Sequence, residues 1–181
     1  MTLTRALVPA PTLAQKAALV LAGTALIAIS AQISVPFFPV PMTLQTLAVL
    51  LVGFALGARL GALTVAAYVA EGAMGLPVFS GFKAGLGGPT TGFLLGFVAM
   101  AFIAGWAADR GVRSVPGLAL VALAASAVLY LPGVAWLGAA IGFEKAIAVG
   151  MMPFLLGDVV KAVLAALIVT GGWSLLGRKR G

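Results

Sequence analysis

Long apolar segments, separated by short stretches rich in proline, glycine or charge, divide the chain into six predicted membrane-spanning helices. A helix that crosses a bilayer needs about 20 mainly apolar residues, and several of these segments are slightly shorter. The pattern predicts an all-α integral membrane protein, a six-helix bundle with a single membrane domain over residues 1–181. The predicted spans cover residues 13–33, 42–58, 60–74, 92–108, 115–131 and 154–176.

The breaks between the segments have local chemical causes. Three prolines within Val35–Pro41 cannot occupy one regular helix, so this stretch is predicted to be a loop. Five glycines and one proline within Gly75–Gly88 predict an ordered loop or a re-entrant segment. Pro132 is expected just after a helix end. The glycine-rich stretch 133–143 is then either a short interfacial helix or part of a seventh span.

The composition agrees with a bilayer location. Of 181 residues, 62% are hydrophobic and 8% are charged, whereas soluble domains carry about 25% charged residues. Cysteine and histidine are absent, which excludes disulfides, thiol nucleophiles and histidine-based catalysis. We expect no metal and no cofactor. The apolar run after Lys16 is longer than the core of a secretory signal peptide, so we expect a retained first helix.

The basic residues are distributed unevenly between the two sides that six spans would create. With a cytoplasmic amino terminus, eight of the eleven lysines and arginines face the cytoplasm, two face outward and Lys161 lies within a span. Cytoplasmic loops of membrane proteins are enriched in basic residues, so both termini are predicted to be cytoplasmic. The eight are Arg5, Lys16, Arg59, Arg110, Arg113, Arg178, Lys179 and Arg180, and the two are Lys83 and Lys145.

Two charged residues lie inside the last predicted span. Asp158 and Lys161 are three residues apart, which places them on one face of a helix. Charges within a membrane are costly and usually functional. Lys161 can attract a carboxylate, and Asp158 can accept hydrogen bonds from the N–H groups of a polar organic ligand. Alternatively, the two charges neutralise each other as a structural pair, or Lys161 extends toward the interface.

Four further polar candidates lie near the outer face of the predicted bundle, the face to which Asp158 and Lys161 are also nearer. Thr43 and Gln45 are at the start of the second span, and Tyr68 and Glu71 are one turn apart near the end of the third. Hydroxyl, amide and carboxylate groups can orient a bound ligand. The alternatives are a hydrogen bond between helices for Gln45 and a solvated helix end for Glu71.

Three candidates for ligand contact, Phe79, Thr90 and Trp136, lie in or beside the predicted external loops. Aromatic side chains in these loops can form a lid over a pocket or belong to the aromatic belt at the membrane interface. The glycine-rich loop contains no G-x-x-x-x-G-K-[ST] motif, and neither does the rest of the sequence. ATP hydrolysis through a P-loop is therefore not expected of this chain.

Small residues recur on the first predicted span, where Ala14, Ala18 and Ala22 are four residues apart. Such a stripe allows another helix to approach closely. Spacing alone leaves two interpretations open: packing within the bundle, and docking of a partner subunit.

Several motifs, in the same order along the chain, resemble those of the BioY family. They are G-L-P-V-F at 75–79, G-P-T-T-G-F-L-L-G-F at 88–97, G-V-A-W-L at 133–137 and P-F-L-L-G-D-V-V-K at 153–161. BioY proteins are the biotin-specific substrate-binding components, or S-components, of energy-coupling factor (ECF) vitamin transporters. Thr91 stands where the family usually has glycine, and Phe93 stands where tyrosine is common.

The resemblance implies a six-helix protein of the bacterial cytoplasmic membrane that captures biotin from outside with high affinity. It also implies partners, namely a transmembrane coupling subunit and two ABC-type ATPases, which alone would use ATP. In the family, a small-residue stripe on the first helix docks the coupling subunit, and the resemblance implies this role for Ala14, Ala18 and Ala22. Asp158 and Lys161 match the family's acidic and basic motif positions. We expect the ureido N–H groups of biotin at Asp158 and its carboxylate at Lys161.

Other classes of function fit the sequence less well. A membrane enzyme would need convergent acidic groups, yet the chain has four acidic residues in all and no D-x-x-D pair. We therefore predict that the chain is not an enzyme, and we expect no nucleic-acid partner. A structural scaffold would leave the buried charge pair unexplained. The alternative that stays open is a stand-alone carrier for biotin or a similar small carboxylate, working without an ATPase.

Overall fold

The structure is a computed structural model that describes residues 2–8 and 10–178, with side chains up to Leu176. Over these residues it contains eight α-helices, one short β-hairpin and one 3-10 turn. The elements are α1 (Leu3–Leu7), α2 (Leu13–Gln32), β1 (Ser34–Val35), β2 (Met42–Thr43), α3 (Gln45–Leu56), α4 (Ala58–Ala73), α5 (Thr91–Asp109), α6 (Val115–Ile141), α7 (Phe143–Gly150), the 3-10 turn Met152–Phe154 and α8 (Leu155–Arg178).

Helices α2–α6 and α8 alternate in direction, so their ends gather at two opposite ends of a bundle. At one end, the Asp109 carboxylate accepts a hydrogen bond from the Ala58 backbone N–H at 2.9 Å and lies 4.0 Å from the Arg5 guanidinium. At the same end, the Thr170 hydroxyl donates to the Arg113 carbonyl. We call this the basic end. The opposite end, where α3, α5 and α8 begin, is the cavity end.

Small residues allow the helices to approach closely. A Cβ atom built on Gly53 of α3 would lie 2.6 Å from the carbonyl oxygen of Ala101 and 2.9 Å from the Cβ of Ala104, both on α5. The space between the helices is filled by fully buried large side chains. These include Phe54, Leu50, Met100, Leu118 and Leu137.

Four helical segments are long and apolar enough to cross a membrane. They are Leu13–Gln32, Thr91–Asp109, Val115–Ile141 and Phe143–Leu176, the last including α7 and the 3-10 turn. Helices α3 and α4 are shorter, with 12 and 16 residues. The chain is therefore a helical membrane protein.

Helices α2–α5 and α8 coincide with predicted segments to within a few residues, but the fifth segment differs. The prediction that a helix ends before Pro132 is wrong, because α6 continues through Pro132 to Ile141. The stretch 133–143 is accordingly not a separate interfacial helix. Proline in a helix forfeits one backbone hydrogen bond and needs space for its ring. Gly96 of α5 provides that space, since a Cβ atom there would lie 3.0 Å from the Pro132 ring.

The predicted proline-rich loop is the turn of a hairpin. Ser34 pairs with Thr43 and Val35 pairs with Met42, so α3 begins at Gln45 and not at Met42. The break between the second and third predicted spans lies at Gly57 and not at Arg59, because Gly57, with φ of 87°, separates α3 from α4 by itself. In the predicted basic terminus, Lys179 and Arg180 lie outside the described residues, as does the side chain of Arg178.

The close contact between α3 and α5 can be tested with one substitution at two positions. Gly53→Ala forces α3 away from the α5 backbone and should lower the free energy of unfolding by about 1–3 kcal/mol. Gly171→Ala is the matched control, because no atom lies within 4 Å of its new methyl group. Thermal unfolding in detergent should show a lower midpoint for Gly53→Ala alone. Equal midpoints would contradict the close packing.

Candidate ligand-binding site

A cavity of about 280 Å³ lies at the cavity end of the bundle. Its walls come from the hairpin turn, the starts of α3, α5 and α8, the second half of α6, and the loop between α4 and α5. The volume is close to the lower bound of about 300 Å³ that is usual for small-molecule sites. The polar or charged side chains in the wall are Thr43, Gln45, Thr46, Ser80, Lys83, Thr90, Tyr130, Asp158 and Lys161.

One polar part of the cavity wall is a charged network between α6 and α8. Asp158 and Lys161 are 5% and 7% exposed, and the Lys161 Nζ lies 3.7 Å from Oδ1 of Asp158. The other carboxylate oxygen, Oδ2, accepts a hydrogen bond from the hydroxyl of Tyr130. The Asp158 carboxylate thus has a cation on one side and a donor on the other, while still lining the cavity.

The start of α8 is positioned by the chain around it. Pro153 lies in the 3-10 turn that precedes α8, a position that suits a residue without a backbone N–H. Phe154 is buried, with its ring centroid 6.1 Å from that of Phe37. Gly157 packs beside Met42, whose sulfur would lie 3.3 Å from a Cβ atom at Gly157. These contacts fix the first turn of α8, so that Asp158 and Lys161 face the cavity.

A second hydrogen-bonded chain connects α3 to the loop after α4. Gln45 Oε1 accepts from the Thr43 hydroxyl at 3.1 Å, and Gln45 Nε2 donates to the Tyr68 hydroxyl at 2.7 Å. Tyr68 in turn donates to the carbonyl of Val78 at 2.9 Å. Since every group in this chain has a partner, it fixes the orientation of the Gln45 amide at the cavity wall.

The cavity brings together six of the nine predicted ligand-contacting residues, which are Thr43, Gln45, Phe79, Thr90, Asp158 and Lys161. The other three do not line it. Tyr68 lies behind the wall, and the Trp136 indole N–H donates to the carbonyl of Gly88 at 3.0 Å. Glu71 is in the last turn of α4. Direct ligand contact stays a prediction for all nine residues.

Sequence reasoning missed several residues of the wall. Tyr130 does not stand out in the sequence, because it is an aromatic residue in a long apolar helix. Its partner Asp158 is 28 residues away along the chain, so the sequence does not show that the two are in contact. Among the described residues, the hydroxyl of Thr46 is the buried side-chain oxygen without a hydrogen-bond partner. The sequence feature that could have identified Thr46 as a wall residue is its position next to Gln45, a predicted ligand-contacting residue. Phe93 and Phe97, which contribute apolar wall on α5, lie in the motif at 88–97, and the motif alone does not indicate that their rings line a cavity.

The predicted docking residues do not line the cavity. Ala14, Ala18 and Ala22 are exposed on α2, while the buried residues of that helix are Gly23, Thr24, Ile27 and Ala31. The three alanines therefore take no part in packing the core of this chain. A role in partner docking stays a prediction.

The hydrogen bond between Tyr130 and Asp158 should stabilise the ligand-free protein. Tyr130→Phe removes the hydroxyl that faces the carboxylate and should lower the free energy of unfolding by about 1–3 kcal/mol, because a buried charged acceptor loses its donor. Thr170→Val is the control, since it removes an exposed hydrogen bond at the basic end. Thermal unfolding without ligand measures the stability of both variants. An unchanged unfolding midpoint for Tyr130→Phe would show that its hydrogen bond to Asp158 does not stabilise the protein.

A helical membrane bundle that encloses a mainly apolar cavity around a buried charge pair defines a membrane protein that binds a small polar ligand. A sequence profile of the BioY family matches residues 3–178. The chain therefore belongs to the BioY family. The relatives are transporters, which agrees with the prediction that this chain is not an enzyme.

Individual relatives match most of the chain. A probable biotin transporter BioY of Pyrococcus horikoshii is 42% identical over 158 residues, which cover 86% of this chain and 94% of the relative. The biotin transporter BioY of Thermotoga maritima is 45% identical over 149 residues, covering 80% and 88%.

The fold also matches a solved structure. A crystal structure of the S-component for biotin from an ECF-type ABC transporter superposes with a TM-score of 0.75 and 27% identity, covering 95% of this chain and 96% of that one. The bundle therefore has the fold of an ECF S-component.

Proposed function

We propose that this chain binds biotin in the cavity and is the substrate-specific component of an ECF-type biotin transporter. The observation that carries the proposal is the Tyr130–Asp158–Lys161 network, which sets one carboxylate and one ammonium group in an otherwise mainly apolar wall. Family membership and the transporter relatives support the same ligand.

The chemistry of the cavity suits biotin. The ureido ring of biotin offers N–H donors and a carbonyl acceptor, which complement a carboxylate beside an ammonium group. The apolar part of the wall, including Phe93, Phe97 and Leu129, can cover the thioether ring and the aliphatic chain. Charged groups held in place before binding contribute more than groups that must be ordered by the ligand.

Biotin binding is tested by calorimetric titration of the detergent-solubilised chain, with riboflavin and thiamine as control ligands. We expect one-to-one binding of biotin alone. Lys161→Ala should weaken it by about 2–5 kcal/mol, because the ligand loses a charged hydrogen-bond partner and Asp158 is left without its cation. Lys145→Ala, on the exposed surface of α7, should bind like the unmodified chain. A folded chain that does not bind biotin would overturn the proposal, and full affinity in Lys161→Ala would remove Lys161 from the site.

For the membrane arrangement, we propose six spans formed by α2–α6 and α8, with both termini in the cytoplasm of a bacterial cell and one membrane domain throughout. The basic end, which carries Arg5, Arg110 and Arg113, would face the cytoplasm, as the distribution of basic residues in membrane proteins favours. Two of these arginines stack on tryptophans, with Arg110 3.5 Å from the ring centroid of Trp106 and Arg113 3.8 Å from that of Trp173. Such pairs suit the membrane interface.

For the partners, we propose a transmembrane coupling subunit and two ABC-type ATPases. The chain itself would need no cofactor, and ATP would be used by the ATPases. Support comes from α2, where Ala14, Ala18 and Ala22 form an exposed stripe that a helix of another subunit can approach closely. The sequence also has no P-loop motif of its own.

The docking role is tested by adding bulk to the stripe. Ala18→Trp should leave biotin binding unchanged but prevent co-purification with the coupling subunit, because the indole separates the two helices. Ala17→Trp is the matched control, since Ala17 is also exposed but lies about 100° around α2. Normal assembly of Ala18→Trp would count against the docking surface. Uptake of biotin by the chain without ATPases would instead favour a stand-alone carrier.

A further inference from the structure

The basic end of the bundle carries much more positive than negative charge. Of the four acidic residues in the chain, Asp109 alone lies at this end, where it is 4.0 Å from the Arg5 guanidinium. The exposed basic side chains that the structure describes at this end are Arg5, Lys16, Arg59, Arg110 and Arg113. One carboxylate cannot neutralise this set, so the basic end attracts anions.

Two of these arginines lie in the turn between α5 and α6, and each stacks on an indole ring. Arg110 lies 3.5 Å from the ring centroid of Trp106, and Arg113 lies 3.8 Å from that of Trp173. A guanidinium group stacked on a ring keeps its N–H groups in its own plane. Neither guanidinium has a hydrogen-bond acceptor among the described residues, and both arginines are exposed. Their N–H groups are therefore available to an anion from outside the chain.

The backbone holds both arginines in place. The Arg110 N–H donates to the carbonyl of Trp106 at 3.2 Å, which closes the last turn of α5. The carbonyl of Arg113 accepts from the hydroxyl of Thr170 at 3.2 Å, and Trp173 is one turn further along α8. Helix α8 thus contacts Arg113 through its backbone and through its side chain. Both guanidinium groups are oriented before a ligand binds, which lowers the entropy cost of binding.

The face of α5 that leads to Arg110 is apolar and exposed. Leu95, Phe102 and Trp106 are exposed, and spacings of seven and four residues place them on one face with Arg110. Helix α5 is also one of the segments long and apolar enough to cross a membrane. Along this face the side chains change from apolar to aromatic to cationic toward the basic end. A phospholipid has the same order of groups, with acyl chains in the bilayer and a phosphate at its surface.

We propose that the turn between α5 and α6 binds the phosphate of an anionic phospholipid, with Arg110 and Arg113 as its cationic groups. Phe102 and Trp106 then contact an acyl chain. This inference rests on the membrane arrangement proposed above and not on the binding of biotin. The planar guanidinium group matches two oxygens of a phosphate. A soluble anion would use the arginines but not the apolar face, whereas a lipid uses both. The surplus positive charge favours an anionic headgroup over one that carries its own cation.

Native mass spectrometry of the full chain in detergent, with equal amounts of phosphatidylglycerol and phosphatidylcholine, measures the preference for the anionic lipid. We expect the unmodified chain to retain more phosphatidylglycerol, by roughly fivefold for each arginine. Arg110→Gln and Arg113→Gln should each remove about fivefold of this preference. Trp106→Leu should lower it less, because the guanidinium keeps its charge but loses the ring that orients it.

Arg59→Gln is the matched control for general charge effects. Arg59 is exposed and begins α4 at the same end, but the structure shows no ring stacked on it within the described part of the chain. Its replacement should leave the lipid preference unchanged. Glycerol phosphate, which has the phosphate without acyl chains, should not displace the lipid at equal concentration. Calorimetric titration with biotin on the same samples should give the affinity of the unmodified chain for each variant, which also shows that the variants are folded.

The outcomes separate this inference from the proposals above. Equal retention of the two lipids by the unmodified chain would overturn the inference and leave biotin binding untouched. Equal losses in Arg59→Gln and Arg110→Gln would show a general charge effect and no site at the turn. Displacement by glycerol phosphate would assign the arginines to a soluble anion instead of a lipid. If the unmodified chain retains neither lipid, the proposed membrane arrangement fails and this inference fails with it.

Discussion

The site depends on one buried contact, in which the Asp158 carboxylate is held between the Tyr130 hydroxyl and the Lys161 ammonium group. Removing a charge from water costs several kcal/mol unless its partners are well placed. That cost makes the relative position of α6 and α8 matter, because a small shift of either helix would leave a buried charge without a partner. The same constraint keeps these polar groups in place before a ligand arrives.

The other wall of the cavity is a loop, and helix side chains hold it by its backbone. Gln32 holds the turn at 79–82, the Tyr68 hydroxyl holds Val78, and the Trp136 indole holds Gly88. Thr91, at the start of α5, accepts from the N–H of Gly87. Glycine-rich backbone is usually mobile, since it loses much conformational entropy on ordering. Here each anchor lies on a helix, so the loop forms a wall with a defined shape.

The sequence predicts a site residue where placing that residue in its surroundings costs much free energy, and it does not where the cost is small. Asp158 and Lys161 could be predicted because charges are rare within apolar helices. Tyr130 could not, because an aromatic ring costs little free energy almost anywhere in an apolar helix, and only the place of Thr46 next to Gln45 indicated a role for Thr46. The prediction that a helix ends before Pro132 is wrong for a related reason. The rule that proline ends a helix is local, whereas the space for its ring comes from Gly96, on another helix.

Helix α2 links the two ends of the molecule. It is 20 residues long, or about 30 Å at the rise of an α-helix. Its first half exposes the alanine stripe, and its last residue, Gln32, holds the loop that carries Lys83. Because the buried residues of α2 begin at Gly23, the half that carries the stripe is joined to the bundle less closely than the half that holds the loop. The helix therefore presents a surface to its surroundings at one end and positions the cavity wall at the other.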